Sequence, residues 1–201
     1  MTKQTRTTST DTARDDWHAE LTQVRSLRDK LGRPVDPPLE SVVAALRLHG
    51  YRTISSCGGH IREYPRGPYV LVQSSAARYL QRKAEKDPEQ DDELYAVLRR
   101  TATRYQSALL LDLLTVIAAF YDTRPSPEPP VRLTVNSLPW TMVNVSPAGS
   151  DILPCLTRAE QIEMLARMRQ ELNDFAFSLR KTQPSRRWLL RDEKRHVQPS
   201  P

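Results

Sequence analysis

Cysteine, glycine and long hydrophobic runs are all scarce in this 201-residue chain. With only Cys57 and Cys155 present, no disulfide scaffold is expected, and two reduced thiols in a cytoplasmic protein are the natural reading. Six glycines include no G-x-G-x-x-G and no phosphate-loop signature. That excludes a Rossmann dinucleotide site and a P-loop. The longest apolar run, Ala108 to Tyr121, is cut by Asp112 and Thr115. It is too short to span a bilayer and is expected to be a buried core helix. No signal-peptide pattern is seen, so a cytoplasmic location without membrane contact is expected.

What is present fits one moderate domain. The hydrophobic share, 38%, is on the low side for a globular protein. Two stretches account for this. Residues 1–12 are rich in Thr, Ser, Lys and Arg, and residues 183–201 mix prolines with Arg186, Arg187, Arg191, Lys194 and Arg195. Neither can bury enough surface to offset the entropy of ordering, so both are expected to be tails around a single domain at 13–182. The net charge of +6 permits a polyanionic partner, and the roughly fourfold excess of arginine over lysine suits bidentate phosphate contacts. Nucleic acid held by the basic C-terminal tail is one expected partner; a protein partner is the other.

Apolar spacing of three and four predicts a helix from Ala13 to Leu31, closed by Gly32-Arg33-Pro34. Asp36 before Pro37 and Pro38 reads as a helix cap, with Leu39, Val42, Val43 and Leu46 forming the apolar stripe and Gly50 the stop. Strands are expected at Tyr51–Ser55, Pro68–Gln73, Val131–Ser137 and Thr141–Ser146. Further helices are expected at Ser74–Lys86 and from a capping box at Asp87 and Gln90 to Asp122, with room for a break near Arg104. A last helix, capped by Thr157 and Glu160, carries Ile162, Leu165, Met168, Leu172, Phe175, Ala176 and Leu179 on its apolar face. The fold class is therefore α/β or α+β, a small four-stranded sheet covered by helices on at least one face.

Chemistry concentrates in Thr53-Ile54-Ser55-Ser56-Cys57-Gly58-Gly59-His60. Cys57 is a nucleophile if His60 lowers its pKa, or else a small packed residue at a strand end. His60 is a general acid/base candidate or a surface histidine. The amides of Gly58 and Gly59 make an anion-binding nest or a plain turn, with Ser55 and Ser56 beside them. Arg132, Arg62 and Arg66 are candidates to bring positive charge to the same mouth. Cys57 and His60 are half of a zinc site, with His49 and Cys155 as distant partners, so no metal is expected. Trp140 is a stacking platform or a plug over the sheet edge.

These residues carry a resemblance. Arg28-Asp29-Lys30, Gly32, Val35-Asp36, the stripe at Val42, Val43 and Leu46, and Thr53 with Ser55-Ser56-Cys57 and Gly59 look like the opening of the tRNA methyltransferases of wybutosine synthesis. Gly67-Pro68-Tyr69-Val70-Leu71-Val72 is similar to their next strand, and Arg132 to Gly149 to their closing segment. The match is closer still to bacterial proteins with a Thr-x-x-Ser-Cys-x-Gly-His loop, in which an aromatic pair, here Phe120-Tyr121, precedes a strand beginning Arg132-Leu133. Two positions differ from the methyltransferases: His60 replaces another basic residue, and Gln73 and Ser74 stand where a strand ends in histidine. The resemblance implies a methyltransferase-like fold, S-adenosylmethionine as cofactor and a nucleotide- or RNA-directed reaction at the Ser55–His60 loop. The alternative is a non-catalytic accessory or binding protein.

Overall fold

A computed structural model describes residues 9–62, 64–86, 92–139 and 141–182, with side chains from Asp16 onward apart from Lys86. The expected capping box at residues 87–90, Trp140 and the basic segment 183–201 lie outside the described residues. The element order is α1 (Ser9–Ser26), α2 (Glu40–Leu48), β1 (Arg52–Cys57), β2 (Tyr69–Gln73), α3 (Ser75–Lys86), α4 (Asp92–Asp122), β3 (Leu133–Leu138), β4 (Met142–Pro147) and α5 (Arg158–Lys181). Short 3-10 turns lead into α2 and β3 and join β4 to α5. The fold is α+β.

The four strands form one antiparallel sheet in the order β1-β2-β4-β3. Val70, Val72, Val143, Val145 and Leu133 line its inner face. Against them pack the stripe of α2, Leu109, Leu113, Ile117 and Phe120 of α4, and Leu172, Phe175 and Leu179 of α5. Facing partners in an antiparallel pair project to the same side. Arg52, Ser55 and Cys57 therefore share the outer face with Gln73, Leu71 and Tyr69, and Leu71 faces Asn144. A bulge at Ile54 sets this phase on β1.

Several expectations are corrected. α1 starts at Ser9, ahead of the expected Ala13, and ends at Ser26, five residues before the expected Leu31. Asp29 gathers the chain into a turn instead: its Oδ1 accepts the amides of Leu31 and Arg33, and its own amide bonds the Arg33 carbonyl. Those bonds hold the exposed Asp29 carboxyl below the usual range, the Arg33 amide being the largest cause. Asp36 does stand at the N-cap of the 3-10 turn Pro37–Leu39, and its carbonyl accepts the Leu39 amide, but its side chain makes no cap bond there. Helix α4 runs 31 residues through Arg104 without a break, because its buried positions Leu98, Ala102, Gln106, Leu109 and Leu113 stay in phase across that point and no glycine or proline interrupts them. The 108–121 run is buried on one side only: Leu111 is 64% and Leu114 43% exposed. Ile162 is also exposed, off the buried face of α5.

Other local signals match the structure. The Thr157–Glu160 capping box is complete, with Thr157 donating to Glu160 from both its amide and its hydroxyl. Gly50 ends α2 at φ 82°, a conformation that favours glycine.

Candidate functional site

The turn that follows β1 is packed rather than open. The Gly58 amide donates to Asp36 Oδ2 at 2.6 Å. From α5, Arg169 donates through Nε to the Gly58 carbonyl at 2.7 Å and through a terminal nitrogen to the Gly59 carbonyl at 3.0 Å. Gly59 has φ +76°, and a β-carbon there would lie 2.5 Å from Leu165 Cδ1 and 2.8 Å from the Arg66 carbonyl oxygen. Beyond it, His60 and Arg66 exchange both backbone hydrogen bonds, at 2.9 and 2.8 Å, extending the β1–β2 hairpin.

The residues expected to form one mouth are distributed. Cys57 lies on the outer face of the sheet opposite Tyr69, and His60 is exposed. Among the described residues no hydrogen bond joins the Cys57 thiol to the His60 imidazole, so the pair lacks the contact that would activate a nucleophile. Ser55 and Ser56 line a hollow of about 230 Å3 between β1 and the Asp29 turn, with Arg28 and Arg33 across from them. Arg132 sits at the far edge of the sheet, where its guanidinium lies 5.1 Å from the centre of the Tyr121 ring. It is not brought to the loop. His49 bonds the Leu179 carbonyl, and Cys155 is exposed near the start of α5. Among the described residues no three His, Cys, Asp or Glu side chains converge. Nor is any described helix long and apolar enough to cross a membrane.

At Gly58 and Gly59 the packing leaves no room for a cofactor such as S-adenosylmethionine. The Gly58 amide and both glycine carbonyls are already bonded within the chain, and Leu165 fills the space against Gly59.

A different surface has unmatched chemistry. Along the outer face of the sheet two hollows lie in line. One, of about 350 Å3, has Tyr69, Leu71, Asn144 and Ser146 as its floor and Arg66, Gly67 and Ser150 at its end. Asn144 donates to Ser146 Oγ, while its own Oδ1 is shielded from solvent with no partner among the described residues. The other hollow, of about 220 Å3, runs under α3 between Ile54, Gln73, Arg78, Gln81, Arg82 and Met142, with Glu85 at its rim bonded to Gln81.

Arg78 and Arg82 of α3 line this second hollow, and Arg52 of β1 lies near enough to Arg78 for their like charges to act on each other. Burial, then the like charges of Arg82 and Arg52, hold the Arg78 guanidinium below its ordinary range. Arg78 reaches Gln73 Oε1 at 3.3 Å, but its Nε is sealed from solvent without a partner among the described residues. None of the three arginines has an ion pair among the described residues. Sequence reasoning missed this cluster. Its readable trace is the i, i+4 spacing of Arg78 and Arg82, which puts both on one side of a helix. Arg52 joins them only through the strand pairing.

Comparison with protein families, characterised proteins and solved structures finds no match to this chain.

Proposed function

We propose that this protein is a non-catalytic binder of single-stranded nucleic acid, held along the outer face of the sheet. The observation that carries the reading is the convergence of Arg52, Arg78 and Arg82, without a pairing carboxylate among the described residues, beside an uncovered sheet face. Guanidinium groups suit phosphate because their donors form a planar fork. Tyr69 offers an aromatic face for a base, and the unpartnered Asn144 Oδ1 an acceptor for a base edge. Arg66 supplies positive charge at the opposite end of the face, and the strand between them, Tyr69 to Gln73, spans about 13 Å at the usual rise.

Fluorescence anisotropy with a labelled mixed-sequence RNA strand, titrated at several salt concentrations, tests this. Each neutralised phosphate contributes a slope of about −0.7 in log K against log salt. Replacing Arg52, Arg78 and Arg82 together by glutamine is expected to flatten the slope by about 2, because roughly three phosphates would no longer be neutralised. An unchanged slope, or no binding at low salt, overturns the proposal. A calorimetric titration with S-adenosylmethionine separates this reading from the methyltransferase one; no heat is expected here.

A further inference from the structure

Helix α4 is apolar on two opposite sides. Its inner side carries the core residues from Leu98 to Phe120. Its outer side presents Ala108, Leu111, Leu114, Thr115 and Ala118, all exposed. Between Arg104 and Asp122 the only charge on the helix is Asp112, whose carboxylate accepts the Tyr51 hydroxyl. A surface helix normally places charged groups on the side opposite its core stripe. Here that side reads Arg104, Ala108, Leu111, Thr115, Ala118 and Asp122, with steps of four, three, four, three and four residues. That is the spacing of a two-helix seam, here facing solvent and built mainly of small residues around Leu111.

The charges at its ends select a partner and an orientation. Neither Arg104 nor Asp122 has an ion pair among the described residues. A second copy lying parallel would set Arg104 against Arg104 and Asp122 against Asp122. Lying antiparallel, it sets Arg104 against Asp122, Ala108 against Ala118 and Leu111 against Thr115, and the same three layers recur in reverse. The seam is therefore complementary to itself in one direction. It runs from residue 104 to residue 122, about 28 Å at 1.5 Å per residue. The small side chains in the outer layers allow close approach of the two helices.

We propose that the protein forms an antiparallel homodimer through the outer side of α4, with the two-fold axis near residue 113. The fold supplies a rigid platform for it, since the inner side of the same helix is locked into the core.

Analytical ultracentrifugation of the full chain from micromolar to hundred-micromolar concentration reads the equilibrium. The wild type is expected to dimerise, and Leu111→Glu to weaken the dimer at least a hundredfold with an unchanged circular dichroism spectrum, because Leu111 is exposed. Arg104→Glu, which leaves the apolar layers intact, is expected to weaken it several-fold by setting acid against Asp122. Adding Asp122→Arg should restore the affinity, and restoration is confined to the antiparallel pairing. In a Cys155→Ser background, Ala108→Cys with Ala118→Cys should give a covalent dimer on oxidation, and Ala108→Cys alone should not. A monomeric wild type at the highest concentration overturns the proposal. So does a chain that dimerises only after residues 183–201 are removed, since those residues would then be the occupant of the seam. Charge reversal without rescue overturns the antiparallel register.

Discussion

The turn at Gly58–His60 and the corner formed by Arg52, Arg78 and Arg82 are opposites. The turn is dense in reactive residue types within a few positions of sequence, yet its polar backbone groups are engaged by Asp36 and Arg169. The corner is assembled from a strand and a helix more than twenty residues apart, and its guanidinium groups lack carboxylate partners among the described residues. Chemistry is available for binding where hydrogen-bonding capacity is left over, not where reactive side chains are most concentrated. The turn acts as a clasp, fastening the β1–β2 hairpin to α5 and to the segment before α2.

The contrast makes stability the first way to break it. Gly59→Ala should be the most damaging change: the positive φ and the collision with Leu165 and the Arg66 carbonyl together cost about 2–4 kcal/mol. Urea unfolding measures it, and a loss below that range would mean the clasp is loose. Asp36→Ala and Arg169→Ala should each cost about 1–3 kcal/mol by leaving backbone groups of the turn unsatisfied. Asp36→Asn, which keeps an acceptor for the Gly58 amide, should recover most of the loss.

Alkaline pH probes the two tyrosine hydroxyls anchored in the core. Burial, reinforced by Asp112, raises the Tyr51 hydroxyl well above its ordinary 10.0. Burial does the same for Tyr121, whose hydroxyl donates to Glu171 and accepts the Leu133 amide. Both contributions are fully present below about pH 10 and decline above it, because the unfolded chain ionises first. The melting temperature should therefore fall progressively from about pH 10 upward, and Tyr51→Phe should flatten that fall.

The corner should respond in the other direction. Arg78→Gln removes a like charge from the cluster, so the melting temperature should hold or rise slightly while affinity for the RNA strand drops. A large loss of stability would show that the cluster is structural. The smallest effect is expected for His60→Ala: a stability change within about 0.5 kcal/mol, as for surface substitutions generally.

Much of the fold was legible because it is local. The α2 stripe, the Thr157–Glu160 box and the Gly50 stop each depend on residues within one or two turns. Asp36 marks the cap position that Asp-Pro-Pro signals, but its carboxylate serves an amide 22 positions away instead of the helix start. Arg169 reaches Gly58 and Gly59 across more than a hundred residues, a distance no periodicity spans. The outer side of α4 escaped for another reason: when both sides of a helix are apolar, spacing alone cannot tell which one meets the core. The candidate site was legible only in part. Cys57 and Ser55 sit on the outer face near the proposed groove, whereas Arg132 was drawn to Tyr121 at the opposite edge.

The surplus residue in β1 shapes the border of the sheet. Removing Ile54 would leave each of the five facing pairs of that hairpin intact, because the partner strand has no gap to match it. What would change is the outline of the rim: a straight, flat border offers a continuous row of amides and carbonyls to any passing extended chain. The bulge at Ile54 interrupts that row, so a variant shortened by this residue is expected to fold normally yet precipitate sooner.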